Sequence, residues 1–321
     1  MRRAAALAAA LALAAPGVAL ASAALRPLLL ERGTYGESFT FVADLEDGTY
    51  VQAGLSFTNL GPGSTKGICR ALVVAPDGRL WRVQERFSRS EITWRDGGDE
   101  RLAVGPCAAW VSEDGSGVEV KLDGGSVRLA TPERPRRQGG EAALQVDGRP
   151  YRSEVLLFRA PLAATLARPG AAARQVAGAL YLDHTRSAVP TKDLARRWVR
   201  FRALRGPRAL LVLGREGHDG RFAPVWACGE EGCQDEEAFA AARRGEGQAT
   251  SFVVEVRGEA PLTLRAGRLL YRDAPVEDLG LLGPLVRPFT GSPVTYVYRA
   301  TAQQGAGAPM DGILEVELSG E

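Results

Sequence analysis

A chain of 321 residues with 40 Lys+Arg, 38 Asp+Glu and two His has room for two ordinary domains, each able to bury its own core. Its near balance of charge, with arginine patches at 134–137 and 196–205 that are short or locally offset, argues against a nucleic-acid partner.

Met1-Arg2-Arg3 opens the chain, an Ala/Leu run interrupted by Pro16 follows to Leu20, and Ala21-Ser22-Ala23 closes it. A charged start, an apolar centre and a small-residue end predict a cleavable secretory signal over 1–23. A spanning helix needs about 20 strongly apolar residues, whereas this run is short, rich in alanine and broken by proline. No integral membrane segment is therefore expected after cleavage, and the protein is expected to be exported, to the periplasm or beyond the cell. Two bases and no acids leave with the signal, so 38 bases then face 38 acids.

Beyond residue 23 the chain is punctuated by Asp-Gly at 47–48, 77–78, 96–97, 114–115, 123–124, 147–148, 219–220 and 311–312. This dipeptide readily supplies the positive φ of two-residue hairpin turns. The runs between them alternate or are rich in β-branched and aromatic residues, as strands require. They are Ser38–Val42, Tyr50–Thr58, Arg70–Val74, Leu80–Val83, Val118–Leu122, Val127–Ala130 and Tyr151–Phe158. Gln175–Leu182, Trp198–Ala203, Ala209–Leu213, Ser251–Val256, Leu262–Ala266, Val294–Ala300 and Ile313–Leu318 follow. One helix is predicted, Asp235–Arg243, with Asp235 as N-cap, acids in the first turn and arginine at the end. Thr131–Gly140, rich in proline and arginine, reads as an exposed connection. Arg159–Ala173, with Pro161, Pro169 and Gly170, interrupts the strand pattern and is read as the junction between a domain at 24–160 and another at 161–321. So dense a series of short strands implies an all-β fold of closed or doubly layered sheets, which protect their edges.

Four cysteines in an exported chain predict disulfides. The spacer of Cys228-Gly-Glu-Glu-Gly-Cys233 closes a tight loop, leaving Cys69 for Cys107. The competing reading is a metal site, but neither His184 nor His218 lies at a ligand spacing from a cysteine pair, so no metal is assigned. The chain carries no Gly-x-Ser-x-Gly elbow, zinc-helix or phosphate-loop motif, and no cofactor is assigned either.

Three groups of segments carry a family resemblance. The first is Tyr35-Gly36-Glu37-Ser38-Phe39-Thr40-Phe41, Asp47-Gly48-Thr49-Tyr50 and Leu55-Ser56-Phe57-Thr58-Asn59-Leu60-Gly61-Pro62-Gly63. The second is Gly178-Ala179-Leu180-Tyr181-Leu182-Asp183-His184-Thr185 with Trp198-Val199-Arg200-Phe201, and the third is the closing Gly312-Ile313-Leu314-Glu315. In this order they resemble the superfamily of tandem lipocalin-like proteins that includes carotenoid 1,2-hydratases (hydroxyneurosporene synthases), AttH-like proteins and survival-factor proteins. The resemblance spans nearly all of the chain after the signal. It implies two lipocalin-like antiparallel β-barrel domains in tandem, with an apolar cavity or interdomain channel for a hydrophobic small molecule such as a lipid, isoprenoid or polyketide-like compound.

The resemblance also marks Asp183 and His184 as candidate catalytic residues, an acid/base pair matching an Asp-His-Asn-Trp-Gly segment. The competing reading is a structural hydrogen-bonded pair at a strand end. Thr185, Arg186 and Ser187 replace Asn, Trp and Gly, so the aromatic suited to a carbocation gives way to a charged Arg186. A strand that carries Tyr and an acid in hydratases is the aliphatic Ala209–Leu213 here. Carotenoid hydration is not expected. Tyr181, Arg186, Trp198, Glu37 and Asn59 are candidate ligand contacts, with core or hydrogen-bonding roles as the alternative for Trp198, Glu37 and Asn59. His218 is expected in an exposed turn. Three functions follow: an exported binder of a hydrophobic small molecule, a hydratase, isomerase or cyclase on the same scaffold, or an envelope structural protein with filled barrels.

Overall fold

The computed structural model describes residues 23–31, 34–59, 65–136, 142–229, 232–258, 261–277 and 291–319. All of the expected signal but Ala23 lies outside the described residues. No described helix is long and apolar enough to cross a membrane.

The chain forms two antiparallel sheets, curled into a near-barrel and a half-barrel. The first is built from β1 (Gly36–Leu45), β2 (Tyr50–Thr58), β3 (Lys66–Val74), β4 (Leu80–Phe87), β5 (Ile92–Arg95) and β6 (Glu100–Val104). It continues with β7 (Cys107–Ser112), β8 (Gly115–Leu122), β9 (Gly125–Thr131), β10 (Ala142–Val146), β11 (Arg149–Ala167) and β12 (Arg174–Ser187). The second comprises β13 (Arg197–Ala203), β14 (Leu210–Glu216), β15 (Phe222–Gly229), β16 (Gly232–Asp235), β17 (Ala238–Arg244), β18 (Ser251–Arg257), β19 (Leu262–Asp273), β20 (Val294–Gln304) and β21 (Met310–Leu318). Spatial order is β4-β3-β2-β1-β12-β11-β9-β8-β7-β6-β5, with β10 beside β11, and β16-β15-β14-β13-β21-β20-β19-β18-β17. Both sheets are therefore built mainly of hairpin neighbours; β1 pairs with β12 and β13 with β21 over long range, and in the first sheet β11 also passes β10 to pair with β9.

The expected turns form where the backbone needs them. Asp123 and Gly124 take φ of 49° and 71°, and Asp147 and Gly148 repeat those values, the consecutive positive angles of a tight hairpin. Two turn expectations need correction. At 96–97 the positive angle belongs to Gly98, and Asp311-Gly312 lies within β21. A Cβ on Gly312 would sit 2.6 Å from the Arg202 carbonyl oxygen and from Phe201 Cζ, so close strand packing selects glycine there.

The predicted helix over 235–243 is also corrected. Asp235 ends β16, opposite Trp226, and 238–244 is β17, paired along its length with β18. Alanine and flanking charges favour a helix weakly, but Phe239 is 3% exposed and packs edge-on against Phe222 at 5.2 Å in the second core. That tertiary contact and the sheet ladder override propensity. The stretch 159–173 differs from its reading as an interruption. It is strand through Ala167, and β12 returns from it into the first sheet. Pro161 is tolerated because only β12 pairs with it; β9 joins β11 from Ala163 onward, so the missing N–H leaves no ladder bond broken on that side. The changeover between sheets falls between Ser187 and Arg197.

Both cysteine pairs are bonded as expected. Cys69–Cys107 links β3 to β7 in the first core, and Cys228–Cys233 joins directly opposed residues of β15 and β16. Three apolar layers result. Phe39, Phe41, Leu55, Val118, Leu129, Leu180 and Leu182 belong to the layer inside the first sheet, and Phe201, Phe239, Phe252, Leu264, Tyr296 and Leu314 to that inside the second. Val42, Tyr50, Tyr151, Tyr181, Trp198, Leu211, Leu213 and Trp226 belong to a third, which joins the sheets.

Candidate functional site

Because successive strand residues face opposite ways, β12 sends Leu180 and Leu182 into the first core and Tyr181 and Asp183 toward the second sheet. On β13 and β21 the same alternation turns Val199, Phe201, Leu314 and Val316 inward and Arg200, Arg202, Glu315 and Glu317 outward. The two outward faces meet around a cavity of about 220 Å³. The first sheet contributes Ser38, Thr40, Gln52, Arg70, Ser153 and Thr185 beside Tyr181 and Asp183. From the second come the arginines and glutamates, Asp273, and an apolar wall of Leu211, Leu213, Val297 and Trp226.

An Arg–Glu–Arg cluster organises the charge. Arg200 and Glu315 are opposed across the β13–β21 ladder. Arg200 Nη1 donates to Glu315 Oε1 at 2.7 Å and Arg202 Nη1 to Oε2 at 3.0 Å. Burial alone would raise the Glu315 carboxyl, but the two guanidiniums outweigh it and hold the group down at about 2. They are held protonated in return: for both, burial works against the charge, and Glu315 together with the other acidic groups around them, Asp183 among them, more than offsets it.

Asp183 behaves differently although the same arginines are near. Its Oδ2 lies 4.0 Å from Arg202 Nη2. Burial dominates and raises its carboxyl above the ordinary value, against the pull of Arg202 and Arg200 and a hydrogen bond from Tyr181. Glu317 is raised as well, by burial, with Arg200 opposing. Burial pushes the Tyr181 hydroxyl up, and Arg202 lies 4.6 Å over its ring. One carboxylate is therefore kept ionised beside two that are shifted toward the neutral acid. Neighbouring groups with separated proton affinities are what acid–base chemistry requires.

The residues singled out in the sequence are dispersed. Asp183 and Tyr181 face the cavity. His184 lies on the other side of the same strand, its ring stacked on Phe39 at 4.0 Å and its Nε2 2.7 Å from Glu37 Oε1. Glu37 also accepts from the Tyr35 hydroxyl at 2.8 Å and from the Leu28 N–H at 3.0 Å, so both residues belong to the interior of the first sheet. Asp183 and His184 do not form a pair. Arg186 donates to Glu154 at 2.9 Å. Asn59 donates to the Leu30 carbonyl and accepts from the Thr65 hydroxyl. Trp198, 3% exposed, packs in the inter-sheet layer at 5.7 Å from Tyr151. His218 is exposed as expected and donates to the Lys192 carbonyl.

Sequence reasoning missed Arg70, Arg200, Arg202, Glu315 and Glu317, and among the tryptophans favoured Trp198 over Trp226. Charged residues alternating with apolar ones in Arg200-Phe201-Arg202 and Leu314-Glu315-Val316-Glu317 were the available signal; such residues ordinarily mark a solvated strand face. Three buried donors of cavity-lining residues, Trp226 Nε1, Arg70 Nε and Arg202 Nε, have no acceptor among the described residues.

No protein-family model and no curated protein matches the chain. Solved structures do. A candidate AttH protein of Nitrosomonas europaea superposes with a TM-score of 0.60 at 15% identity, over 88% of this chain and 91% of its own. CghA, alone and with Sch210972, gives 0.55 at 15% identity over 90% of this chain and 89% of its own. The chain therefore shares with these proteins a two-part, lipocalin-like all-β fold.

Proposed function

We propose that the protein is exported and binds a small amphipathic molecule in the cavity between its two sheets. The observation that carries this reading is the division of the cavity into an apolar wall and a buried hydrogen-bonding wall, each with an unpaired donor, Trp226 Nε1 on the first and Arg70 Nε on the second. Buried polar groups are nearly always satisfied, and Trp226 Nε1 and Arg70 Nε have no partner among the described residues; a ligand oxygen supplies the missing acceptor. At about 220 Å³ the site is smaller than the ~300–1,000 Å³ of drug-sized pockets, which suits a compact ligand or one group of a larger one. The hydrophobic ligand expected from the sequence is thereby narrowed to one with a polar, oxygen-bearing end. Export is supported by the order of features over 1–23 and by the two disulfides.

Asp183 favours a second reading, proton transfer to the bound molecule. A buried carboxyl held toward its neutral form is a proton donor, and Tyr181 and Arg202 fix its position. Isomerisation or cyclisation of a ligand carrying a carbonyl fits that chemistry. His184 takes no part in it, since it faces the opposite core.

Native mass spectrometry of the protein purified from its producing cells tests the first reading. A small molecule should accompany the wild type and be lost from Leu213→Trp, which fills the apolar wall. Equal spectra for the two proteins, together with no binding of a panel of acyl, isoprenoid and polyketide-like acids, would rule the reading out.

A further inference from the structure

The first described residues are held by a single carboxylate. Glu100, which opens β6, accepts from the Ala24 N–H through Oε1 at 3.0 Å and from the Leu25 N–H through Oε2 at 2.8 Å. Leu25 is 1% exposed and belongs to the first core, and Ala24 packs against it. Arg26 lies over the Trp94 ring at 5.4 Å. A carboxylate spanning two consecutive amides, with the second residue sunk in the core, is a seat fixed on both polar and apolar grounds.

The small-residue end of the signal falls one bond before this seat. Hydrolysis of the Ala23–Ala24 peptide bond leaves the Ala23 carboxylate on the departing signal and an α-ammonium on Ala24. The nitrogen already 3.0 Å from Glu100 then carries a full charge and extra donors. We infer that Glu100 is the receptor for the amino terminus released by cleavage after Ala23, so that processing converts an amide contact into an ion pair that pins the N-terminal segment to the first sheet. The inference rests on the export reading. Charge-assisted hydrogen bonds are roughly twice as strong as neutral ones, and the pair is part-buried, which limits screening. Cleavage also removes the Ala23 carbonyl, which accepts from the Arg26 N–H at a long 3.4 Å, a small loss by comparison. Other charged groups near the seat are Arg26 on the segment itself, Arg95 on β5, Asp96 and Asp99 in the following turn, and Arg101 on β6. They balance in number except for one additional base, and Glu100 is the group that accepts from the Ala24 N–H.

The chain makes this directly measurable, because Lys66, Lys121 and Lys192 are its only lysines. Full-length precursor is produced in an exporting bacterial host and its intact mass taken, first as wild type and then as Glu100→Gln. Reductive ¹³C-methylation then yields one α-amino and three lysine resonances, which are titrated by NMR. The mass should place the start at Ala24. The α-amino group should titrate about one unit or more above its ordinary ~7.7–8.0, and the shift should vanish in Glu100→Gln. A chain started at Ser22 keeps the Ala24 amide and should melt lower than the processed protein, a readout that does not depend on the variant folding well. A start elsewhere overturns the inference together with the cleavage site. A start at Ala24 with an ordinary α-amino titration, or equal melting of the two chains, overturns the receptor alone and leaves export standing.

Discussion

Asp183 and His184 are neighbours in the chain and strangers in the fold: the carboxyl enters the cavity between the sheets, and the imidazole is sealed in the first core, 2.7 Å from Glu37. Their substitution should therefore separate two properties. His184→Ala removes the stack on Phe39 and one of the partners of the Glu37 carboxylate, and should cost about 3 kcal/mol in denaturant unfolding with ligand affinity unchanged. Asp183→Asn should weaken ligand binding by about tenfold and abolish any proton transfer. The same affinity loss from both variants would show that they act as one site after all.

Glu315 links the site to acid stability. Its folded value, held at about 2 by Arg200 and Arg202 against burial, lies below the ordinary 4.5. A depressed carboxyl contributes stability that is present above its unfolded value and is lost as pH falls through the folded one. At ~1.4 kcal/mol per unit, the contribution is on the order of 3 kcal/mol. The wild type should lose it between about pH 4.5 and 2, whereas Glu315→Gln should already lack it at pH 7 and show a shallower acid slope. Urea midpoints measured across that range check the prediction, and parallel slopes would contradict it.

The disulfides should contribute unequally. In the chain-entropy picture, the 38-residue separation of Cys69 and Cys107 is worth about 4 kcal/mol and the five-residue separation of Cys228 and Cys233 about 2. Cys69 and Cys107 are fully buried, while Cys233 is exposed. Mild reductant should thus open Cys228–Cys233 first, with a modest fall in melting temperature. Alkylation and peptide mapping give the order, and earlier loss of Cys69–Cys107 would reverse the assignment.

Much of the architecture is legible because turns and alternation are local. Asp123-Gly124 and Asp147-Gly148 specify their own positive φ angles, and runs such as Tyr50–Thr58 carry a strand pattern whatever surrounds them. The predicted helix at 235–243 fails for the opposite reason: its strand character comes from β18 and from Phe222, both supplied by other parts of the chain. The site divides in the same way. Period two, applied to Leu180-Tyr181-Leu182-Asp183-His184, already sends Asp183 and His184 to opposite faces. That Arg200, Arg202 and Glu315 face a second sheet rather than water depends on how the sheets pack, and no short pattern encodes it. Trp226 rather than Trp198 lines the cavity for the same reason.

The sheets are clamped at one end by Asp44, and this contact offers the sharpest test of their union. Its side chain is 3% exposed. Oδ1 accepts from Arg299 Nη1 of β20 at 2.6 Å, and Oδ2 pairs with Arg205 Nε at 2.9 Å. Each arginine also reaches a backbone carbonyl of the first sheet's opening hairpin, Arg299 to Gly48 and Arg205 to Leu45. Removing one partner of a buried pair strands the other, at about 3–5 kcal/mol; the part-exposed arginines place Asp44→Ala at the low end of that range. Asp44→Asn keeps the shape and should cost less. Because the clamp joins the sheets and belongs to neither core, the loss should fall on their coupling: hydrogen–deuterium exchange of Asp44→Ala should quicken first along β1, β13 and β20 where they face one another. Exchange that rises uniformly through both cores would instead make Asp44 an ordinary contributor to global stability.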